Sequence, residues 1–384
     1  MTTHSSIPAP QVDTVVIGAG QAGLSVAYHL GRLRRSCVVL ERNRRIGDNW
    51  RSHWDSLRLY SAARYDGLPG MPFPAPDWTF PGKDDVADYL AAYAAKFDLP
   101  VRTGAAVRRV SRDGDGFAVE YMDDDTHASH LRSRNLVVAT GTFGRQPAIP
   151  SPAQDLDPEI LQLHSSRYRN PSQLKDGPVL VVGASHSGAD IAHEVSATHH
   201  TILSGRDTGQ VPFAIEKRSG RVGFRIIFFV FGHVMSLRTP VGRRMRAEVR
   251  HHGGPLIRYR AKDLAADGVE RVFERTVDVR DGMPMLADGR VLDVANVVWC
   301  TGFQQELAWL DVPVLDEQGW PLEHRGIVES VPGLYFSGLA FQSSFRSMLI
   351  GGAGADAAYV ARHIARHRAP GPQVTAADSS LAAA

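Results

Sequence analysis

The stretch Thr14-Val15-Val16-Ile17-Gly18-Ala19-Gly20-Gln21-Ala22-Gly23-Leu24 decides the fold of this chain. A short apolar run ends in the pattern G-x-G-x-x-G and leads into a helix-like segment over residues 25–33. A second apolar run, Cys37-Val38-Val39-Leu40, then ends at the acidic residue Glu41. This order of strand, glycine turn, helix, strand and acid is typical of a domain that binds the ADP half of a dinucleotide.

The residues of this fingerprint each have a physical reason to be there. Gly18 permits the tight turn, Gly20 lets the backbone approach a pyrophosphate, and Gly23 lets the helix pack closely on the strand. The pyrophosphate would lie on the free N–H groups and the positive dipole end of the helix, while Glu41 would accept hydrogen bonds from ribose hydroxyls. We therefore expect the first cofactor contacts at Gly18, Gly20, Ala22, Gly23 and Glu41.

A second unit of the same kind begins with Pro178-Val179-Leu180-Val181-Val182-Gly183-Ala184-Ser185-His186-Ser187-Gly188. Its helix is predicted at about residues 189–196, and its second strand, residues 201–204, is followed by Gly205 and Arg206 instead of an acid. A guanidinium can bind a 2′-phosphate bidentately, so Arg206 at the end of this strand predicts that the unit binds NADPH, with NADH as the alternative. The competing interpretation is that Arg206 is a solvated turn residue. The expected contacts are Gly183, Ser185, His186, Ser187, Gly188, Ser204 and Arg206.

Composition excludes several classes of protein. The 384 residues carry a net charge of +2, from 43 basic and 41 acidic side chains, which argues against a nucleic-acid partner. The two cysteines, Cys37 and Cys300, cannot form a C-x-x-C dithiol and suggest a reducing compartment, so we expect a cytoplasmic protein. No metal site is expected. Residues 1–11 lack the apolar core of a signal peptide and are interpreted as a disordered leader.

A Phe-rich apolar stretch, residues 222–237, lies within a basic segment over residues 217–260. It is shorter than the roughly 20 apolar residues of a membrane span, and Arg225 and His233 interrupt it, so no transmembrane segment is expected. Three interpretations stay open: the wall of a substrate tunnel, a membrane-surface patch flanked by arginines, or a packed helix or dimer contact.

Motifs spread over nearly the whole chain resemble those of the flavin-containing monooxygenases of class B, in particular the shorter bacterial flavoproteins of that superfamily. The matching motifs are Gly18-Ala19-Gly20-Gln21-Ala22-Gly23, Gly47-x-x-Trp50, Ala139-Thr140-Gly141, His164-x-x-x-Tyr168-Arg169, Gly183-x-x-x-Ser187-Gly188-x-Asp190, Cys300-Thr301-Gly302 and Gly333-Leu334-Tyr335-Phe336-Ser337-Gly338.

The resemblance implies an α/β fold with two Rossmann-like dinucleotide-binding domains, the NADPH domain being inserted into the FAD domain. The expected boundaries are a leader at 1–11, an FAD domain at 12–150 and 295–368, a linker at 151–169, an NADPH domain at 170–294 and a disordered tail at 369–384. The resemblance also favours a homodimer.

The resemblance further implies that NADPH reduces FAD and that a C4a-peroxyflavin then oxygenates a small organic substrate (an amine, a sulfide or a ketone) with dioxygen. Two alternatives remain: an NAD(P)H oxidase or reductase without substrate oxygenation, and a flavin-binding regulatory or transport-associated protein.

Further site residues follow from the resemblance alone. Gly47, Asn49 and Trp50 would hold the ribityl–pyrophosphate region of FAD, Val107 would contact adenine, and the strand end Ala139, Thr140 and Gly141 would border the cofactor. Residues 343–351, with Met348 and Leu349, would approach the isoalloxazine.

Two catalytic candidates follow from the same resemblance. Ser61 stands where many of these enzymes place an asparagine near the flavin, although a hydroxyl offers one donor where an amide offers two. His164 belongs to the family's His-containing signature, in which Pro158 and Ile160 replace the usual Phe and Gly. The other interpretation of His164 is a structural histidine.

Overall fold

A computed structural model describes residues 10–124, 126–142 and 146–367. The expected tail and residues 1–9 of the expected leader lie outside this range. The described strands are β1 Gln11–Ile17, β2 Cys37–Leu40, β3 Val101–Arg102, β4 Ala105–Asp113, β5 Gly116–Asp123, β6 His127–Val138, β7 Gln146–Pro147, β8 Leu161–His164, β9 Val179–Val182, β10 Thr201–Ser204, β11 Glu270–Val272, β12 Thr276–Arg280, β13 Met283–Leu286, β14 Asn296–Trp299, β15 Phe303–Gln304, β16 Leu310–Asp311 and β17 Leu334–Phe336. The described α-helices are α1 Gln21–Arg32, α2 Asp48–Arg51, α3 Lys83–Lys96, α4 His186–Ser196, α5 Gly220–His233, α6 Pro240–His251, α7 Ala261–Ala266 and α8 Ala353–His367.

The larger sheet is built around β1. Five parallel strands lie in the order β3, β2, β1, β6 and β17, and the first half of the long β6 also joins β4 and β5 in an antiparallel meander. Strand β1 is buried along all but its first residue, as expected of a parallel strand covered on both faces. It begins at Gln11, which the sequence had assigned to the leader.

Each face of this sheet has its own apolar core. On one face α1, α3 and α8 cover the parallel strands, and Leu24, Leu90 and Val360 are fully buried there. On the other face the core is formed by residues of the meander and of the segment near β16, such as Phe117 and Val314. The returning chain therefore completes the first domain, as the inserted arrangement predicts.

The smaller sheet contains β11, β10, β9, β14 and β8 in that order, and all of its strands are parallel. Two of these strands fall outside the boundaries expected for the second domain. Strand β8 lies in the segment expected to be a linker, and β14 lies in the segment expected to rejoin the FAD domain. The correction has a simple cause: β8 and β14 pair with each other and β14 pairs with β9, so both belong to the second sheet.

The fold therefore has two parallel-sheet domains of the dinucleotide-binding kind, which confirms the predicted α/β class. The connection from β10 to β11 carries α5 and α6, which return to the first domain. Two backbone hydrogen bonds fix this return, from Phe345 N to Met235 O (2.9 Å) and from Leu237 N to Ser343 O (2.9 Å). Among the described helices, none combines the length and the apolar character that crossing a bilayer requires.

A buried ion pair fixes the start of the first domain. Arg35, at the entrance to β2, donates from Nε to Asp13 Oδ2 of β1 (2.7 Å), and the two side chains are only 4% and 1% exposed. Removing one partner of such a pair leaves the other charge buried without compensation.

We predict that Arg35→Met lowers the free energy of unfolding by about 3–5 kcal/mol. The control is Arg32→Met, because Arg32 is exposed on the last turn of α1 and its replacement leaves no buried charge. Urea denaturation at neutral pH measures both. A loss for Arg35→Met no larger than that of the control would contradict the structural role of the pair.

Candidate functional site

The first glycine turn is a place where backbone packs directly on backbone. A Cβ at Gly23 would lie 1.9 Å from the Gly18 carbonyl oxygen, and a Cβ at Gly18 would lie 2.8 Å from the Ala139 carbonyl oxygen. Gly18 also has φ +103°, which side chains rarely adopt. By contrast, no described heavy atom lies within 4 Å of the Cβ position of Gly20, at the start of α1. This open position fits a pyrophosphate.

Glu41 closes the same turn. Its carboxylate accepts a hydrogen bond from Ala19 N (2.8 Å) and two from Asn43, from N (3.0 Å) and from Nδ2 (2.7 Å). The predicted ribose-binding acid is thus held between the glycine turn and the residues that follow β2. A carboxylate oxygen has more than one lone pair, so these bonds leave acceptor capacity for a ribose.

The second fingerprint repeats the first contact by contact. A Cβ at Gly188 would lie 1.8 Å from the Gly183 carbonyl oxygen, and a Cβ at Gly183 would lie 2.4 Å from the carbonyl oxygen of Cys300, which follows β14. Gly183 has φ +109°. Cys300, which follows β14, therefore packs on the second glycine turn in the same way that Ala139, which follows β6, packs on the first.

The two units differ where the second strand ends. Gly18 N donates to Leu40 O and Gly183 N donates to Ser204 O, both at 2.8 Å, so Leu40 and Ser204 are equivalent. The residue after each is Glu41 in the first unit and Gly205 in the second. The second cradle therefore has no carboxylate at the position where the first has one.

Arg206 and Ser204 have different surroundings. Arg206 is exposed at the surface after β10, as a phosphate ligand must be. The Ser204 hydroxyl is instead buried and donates to Glu274 O (2.9 Å), with Thr276 Oγ1 at 3.0 Å. The structure thus leaves the Arg206 side chain accessible but engages Ser204, which sequence reasoning had grouped with it, inside the domain.

A loop packs on the start of α4 in the second cradle. Ser185 Oγ donates to Gly254 O (2.9 Å), and a Cβ at Gly254 would lie 2.8 Å from the His186 ring. Ser187 and Gly188 follow in the first turn of the helix. The serine that replaces the middle glycine thus binds this loop.

The residues expected around the rest of FAD lie on several elements. Gly47 directly precedes α2, and a Cβ at this position would lie 2.6 Å from Ala87 O. Trp50 packs against the apolar cores of both domains. Asn49 is exposed. Val107 is half-buried on β4, which begins beside Glu41. Thr140 and Gly141 follow β6, where Thr140 Cα is 3.4 Å from the Cβ position of Gly18.

The segment that follows Ser61 contacts the 343–351 segment, which is expected to approach the isoalloxazine. A Cβ at Gly351 would lie 1.9 Å from Tyr65 O and 3.4 Å from Gly67 O, so the 65–67 segment lies directly on the loop before α8. Leu349 packs against the apolar cluster that contains Ala62 and Phe228, while Met348 is half-buried at the end of the preceding 3₁₀ turn. Residues 65–67 and Gly351 are far apart in the chain, so their contact could not be predicted from their positions in the sequence.

Ser61 takes part in a buried pair that sequence reasoning missed. Its Oγ donates to Asp66 Oδ1 at 2.5 Å, and Asp66 is completely buried. Among the described residues, Asp66 Oδ2 has no hydrogen-bond partner. Burial raises the pKa of Asp66 to about 7, although the bond from Ser61 opposes that shift. A carboxyl that can be neutral near pH 7 therefore lies beside the segment expected to approach the flavin.

His164 is held by the protein on both sides of its ring. Ser166 N donates to Nδ1 (3.2 Å), which fixes the proton on Nε2, and Nε2 then donates to Gly302 O (3.0 Å). The ring is buried, and burial lowers its pKa. Of the two interpretations, this geometry favours the structural histidine, which ties β8 to the turn after β14.

A second buried cluster joins the domains and was also missed. Asp190 of α4 accepts from Tyr60 Oη (3.0 Å) and from Arg258 (3.1 Å). Arg258 also donates to Leu59 O (2.6 Å), so one guanidinium binds both the second domain and the segment that carries Ser61. Burial raises the pKa of Asp190, and Arg258 opposes that shift. The sequence carried no signal for this contact, because the partners come from three distant segments.

Neither cysteine is equipped for thiol chemistry. Cys37 begins β2 in the first sheet and Cys300 follows β14 in the second, and both are free. Burial raises the pKa of Cys37 to about 12 and raises that of Cys300 as well. Since the thiolate is the reactive form, neither is set up as a nucleophile.

Comparisons with known proteins agree with this geometry. A family profile described as "Pyridine nucleotide-disulphide oxidoreductase" matches residues 15–211. A curated relative from Geobacillus kaustophilus, "Uncharacterized oxidoreductase CzcO-like", is 37% identical over 93% of this chain and 99% of its own length. "Indole-3-pyruvate monooxygenase YUCCA1" of Oryza sativa subsp. japonica is 34% identical over 46% of this chain and 43% of its own length. A solved structure, "Flavin-containing monooxygenase from Stenotrophomonas maltophilia", is 27% identical with a TM-score of 0.72, over 92% of this chain and 98% of that chain.

Substitutions at two glycines of the first turn are expected to change different properties, stability at Gly23 and FAD binding at Gly20. Gly23→Ala forces a Cβ onto the Gly18 carbonyl, so we expect a protein destabilised by at least about 2 kcal/mol. Gly20→Ala meets no described atom, so we expect an unchanged melting temperature but at least tenfold weaker FAD binding, because the methyl group lies where the pyrophosphate approaches. Thermal melts and flavin titration measure the two quantities. Equal FAD affinity for Gly20→Ala and wild type would contradict this placement.

The raised pKa of Asp66 predicts that the stability of the protein falls as the pH rises. Its pKa is about 7 in the folded chain against 3.8 when free, so the folded state binds the extra proton. Its contribution to stability is complete below pH 4 and is lost as the pH rises through about 7, with a slope of up to about 1.4 kcal/mol per pH unit. Asp66→Asn removes this slope. Urea denaturation of both proteins from pH 4 to pH 8 tests it, and parallel pH profiles would contradict it.

Proposed function

The chain belongs to the pyridine nucleotide-disulphide oxidoreductase family, and within it we propose an NADPH-dependent, FAD-containing monooxygenase. Its substrates are dioxygen and a small organic molecule such as an amine, a sulfide or a ketone. The observation that carries the proposal is the pair of glycine cradles, repeated contact by contact in one chain. One cradle has an acid for a ribose diol and the other an exposed arginine for a phosphate.

FAD fits the first cradle and the residues around it. Gly18, Gly20 and the N-terminus of α1 would hold the pyrophosphate, Glu41 the ribose, and the 343–351 segment the isoalloxazine. When bound, the flavin accepts hydride from a nicotinamide and reacts with dioxygen. The protein's part is to position it, to exclude water and to supply protons.

The second cradle supports a nicotinamide cofactor with a 2′-phosphate. Gly205 replaces the acid that would repel the phosphate, and Arg206 is exposed beside it. The Gly254 loop packs on the helix start and binds Ser185, so it is the element that has to yield when the dinucleotide enters.

Asp66 is the group best placed to hold a proton at the flavin. Its Oδ2 would carry the proton in the neutral acid and donate it to the bound flavin or to the oxygen being transferred, while Ser61 holds Oδ1. The stacked rings of half-buried Tyr65 and buried Phe228, 4.0 Å apart between centroids, help to exclude water.

The family description also includes disulphide reductases, and the thiols argue against that activity. A dithiol mechanism needs two neighbouring cysteines, of which the attacking one has a lowered pKa. Here the two cysteines belong to different sheets, and burial raises both pKa values. An NAD(P)H oxidase that releases hydrogen peroxide uses the same two cradles and is the second candidate. We place the enzyme in the cytoplasm, in line with its free thiols, and a homodimer stays a prediction.

Stopped-flow spectroscopy separates these candidates. NADPH should bleach the flavin anaerobically, and air should then restore the oxidised-flavin absorbance in two resolved phases while NADP is bound. A single phase with stoichiometric hydrogen peroxide would favour the oxidase. Failure of both NADPH and NADH to reduce the flavin would contradict both enzymes and favour a binding protein.

We predict that Arg206→Ala raises the KM for NADPH by an amount equivalent to about 1–3 kcal/mol, roughly 5- to 150-fold. The KM for NADH should stay within twofold, because NADH has no 2′-phosphate. Arg42→Ala is the matched control, since Arg42 is exposed at the equivalent position after β2. Steady-state kinetics with both cofactors provide the measurement, and an equal loss with NADPH and NADH would refute the phosphate contact.

A further inference from the structure

Helix α5 presents apolar side chains on two opposite faces. Phe224 and Phe228 point inward, are 2% and 7% exposed, and pack on the ring of Tyr65. The outward residues Val222, Ile226 and Phe229 are 65%, 60% and 60% exposed. The inward phenylalanines are part of the apolar core, which accounts for part of the Phe-rich sequence. Core packing does not account for the apolar residues on the outer face.

The three outward residues form one continuous stripe. Positions i, i+4 and i+7 lie on the same side of a helix, one above the other. Soluble monomers rarely expose a contiguous apolar patch of this kind unless it contacts a partner or a membrane. We call Val222, Ile226 and Phe229 the apolar stripe.

Positive charge surrounds the apolar stripe. Residues 217–250 contain nine Lys or Arg residues and one acidic residue, Glu248, and two of the nine, Arg246 and Arg250, are paired with Glu323. Arg221 and Arg225 are exposed and alternate with the stripe residues along the helix. Two other acids come near from neighbouring elements, but Glu216 pairs with Arg258 (3.1 Å) and Asp77 with Arg64 (3.4 Å).

This charge pattern disfavours a second copy of the chain as the partner. A two-fold dimer places the same patch against itself, so the arginines of one stripe would face those of the other. Like charges placed together at an interface cost free energy. An anionic lipid surface, in contrast, accepts apolar side chains below its headgroups and attracts each arginine beside them.

A cavity opens beside the apolar stripe. It has a volume of about 260 Å³ and is lined by Tyr65, Arg225, Phe228, Phe229, His233 and Arg346. Phe229 belongs to both the stripe and the cavity wall, and Arg346 lies within the 343–351 segment expected at the isoalloxazine. A surface that covered the stripe would therefore lie at the mouth of a cavity whose wall includes Tyr65 and Arg346 of the first domain.

We propose that the apolar stripe and its arginines dock the enzyme on the surface of an anionic lipid bilayer. Helix α5 would lie in the plane of the interface, with Val222, Ile226 and Phe229 below the headgroups and Arg221 and Arg225 among the lipid phosphates. The cavity mouth then faces the membrane, so apolar molecules dissolved in the lipid can enter it directly. The docking itself does not depend on the reaction catalysed.

Vesicle co-sedimentation of the full-length flavoprotein tests this proposal. We expect binding to phosphatidylglycerol–phosphatidylcholine vesicles, with at least tenfold weaker binding to pure phosphatidylcholine and a marked loss at high salt. The triple variant Val222→Ser, Ile226→Ser, Phe229→Ser should lose roughly tenfold or more of the affinity. Arg221→Gln with Arg225→Gln should reduce binding to the anionic vesicles only.

A matched control uses exposed apolar residues elsewhere. Phe273 and Leu322 are 57% and 56% exposed and lie outside the basic segment, so Phe273→Ser with Leu322→Ser should leave vesicle binding unchanged. Flavin content verifies that each variant is folded. Absence of vesicle binding, equal binding by the triple variant, or a dimer that the triple variant splits while wild type ignores vesicles would each overturn the proposal.

Discussion

The contact between the Gly23 backbone and the Gly18 carbonyl oxygen is the constraint on which the rest of the structure depends. Since a Cβ there would lie at 1.9 Å, only a glycine lets α1 approach β1 closely enough for its N-terminus to sit at the end of the strand. That approach places free helix N–H groups at the carboxyl edge of the sheet, where parallel α/β folds bind ligands. The same contact at Gly188, at 1.8 Å, builds the second site.

Much of the fold could be predicted because these local requirements leave a clear sequence pattern. Glycine spacing, buried apolar runs and the residue after β2 or β10 identified both units and the order in which they occur. The boundaries could not be predicted as well. Strand β14 is an apolar run before a Thr-Gly pair, as β6 is, and nothing within the run indicates which sheet it joins. Its pairing with β8 and β9 decides that, and pairing is a property of the tertiary structure.

The site shows the same division between local and distant information. The cradle glycines and Glu41 were predictable, since their roles follow from the backbone nearby. The partners of Ser61 and Ser204 were not. Asp66 is only five residues from Ser61 but belongs to no recognised motif, and Glu274 lies 70 residues from Ser204 along the chain. The cluster of Asp190, Arg258 and the segment before Ser61 fixes the two domains against each other without any sequence motif. The side-chain contacts of the candidate site therefore could not be read from the linear pattern.

The absorption spectrum of the purified chain, with its flavin extracted and counted, tests the central claim most directly. We propose that the first cradle carries a resident FAD and that the second admits a nicotinamide. We therefore expect a yellow protein with about one FAD per chain, as a single cradle of this type requires. A colourless protein that takes up no added FAD at micromolar concentration would contradict it.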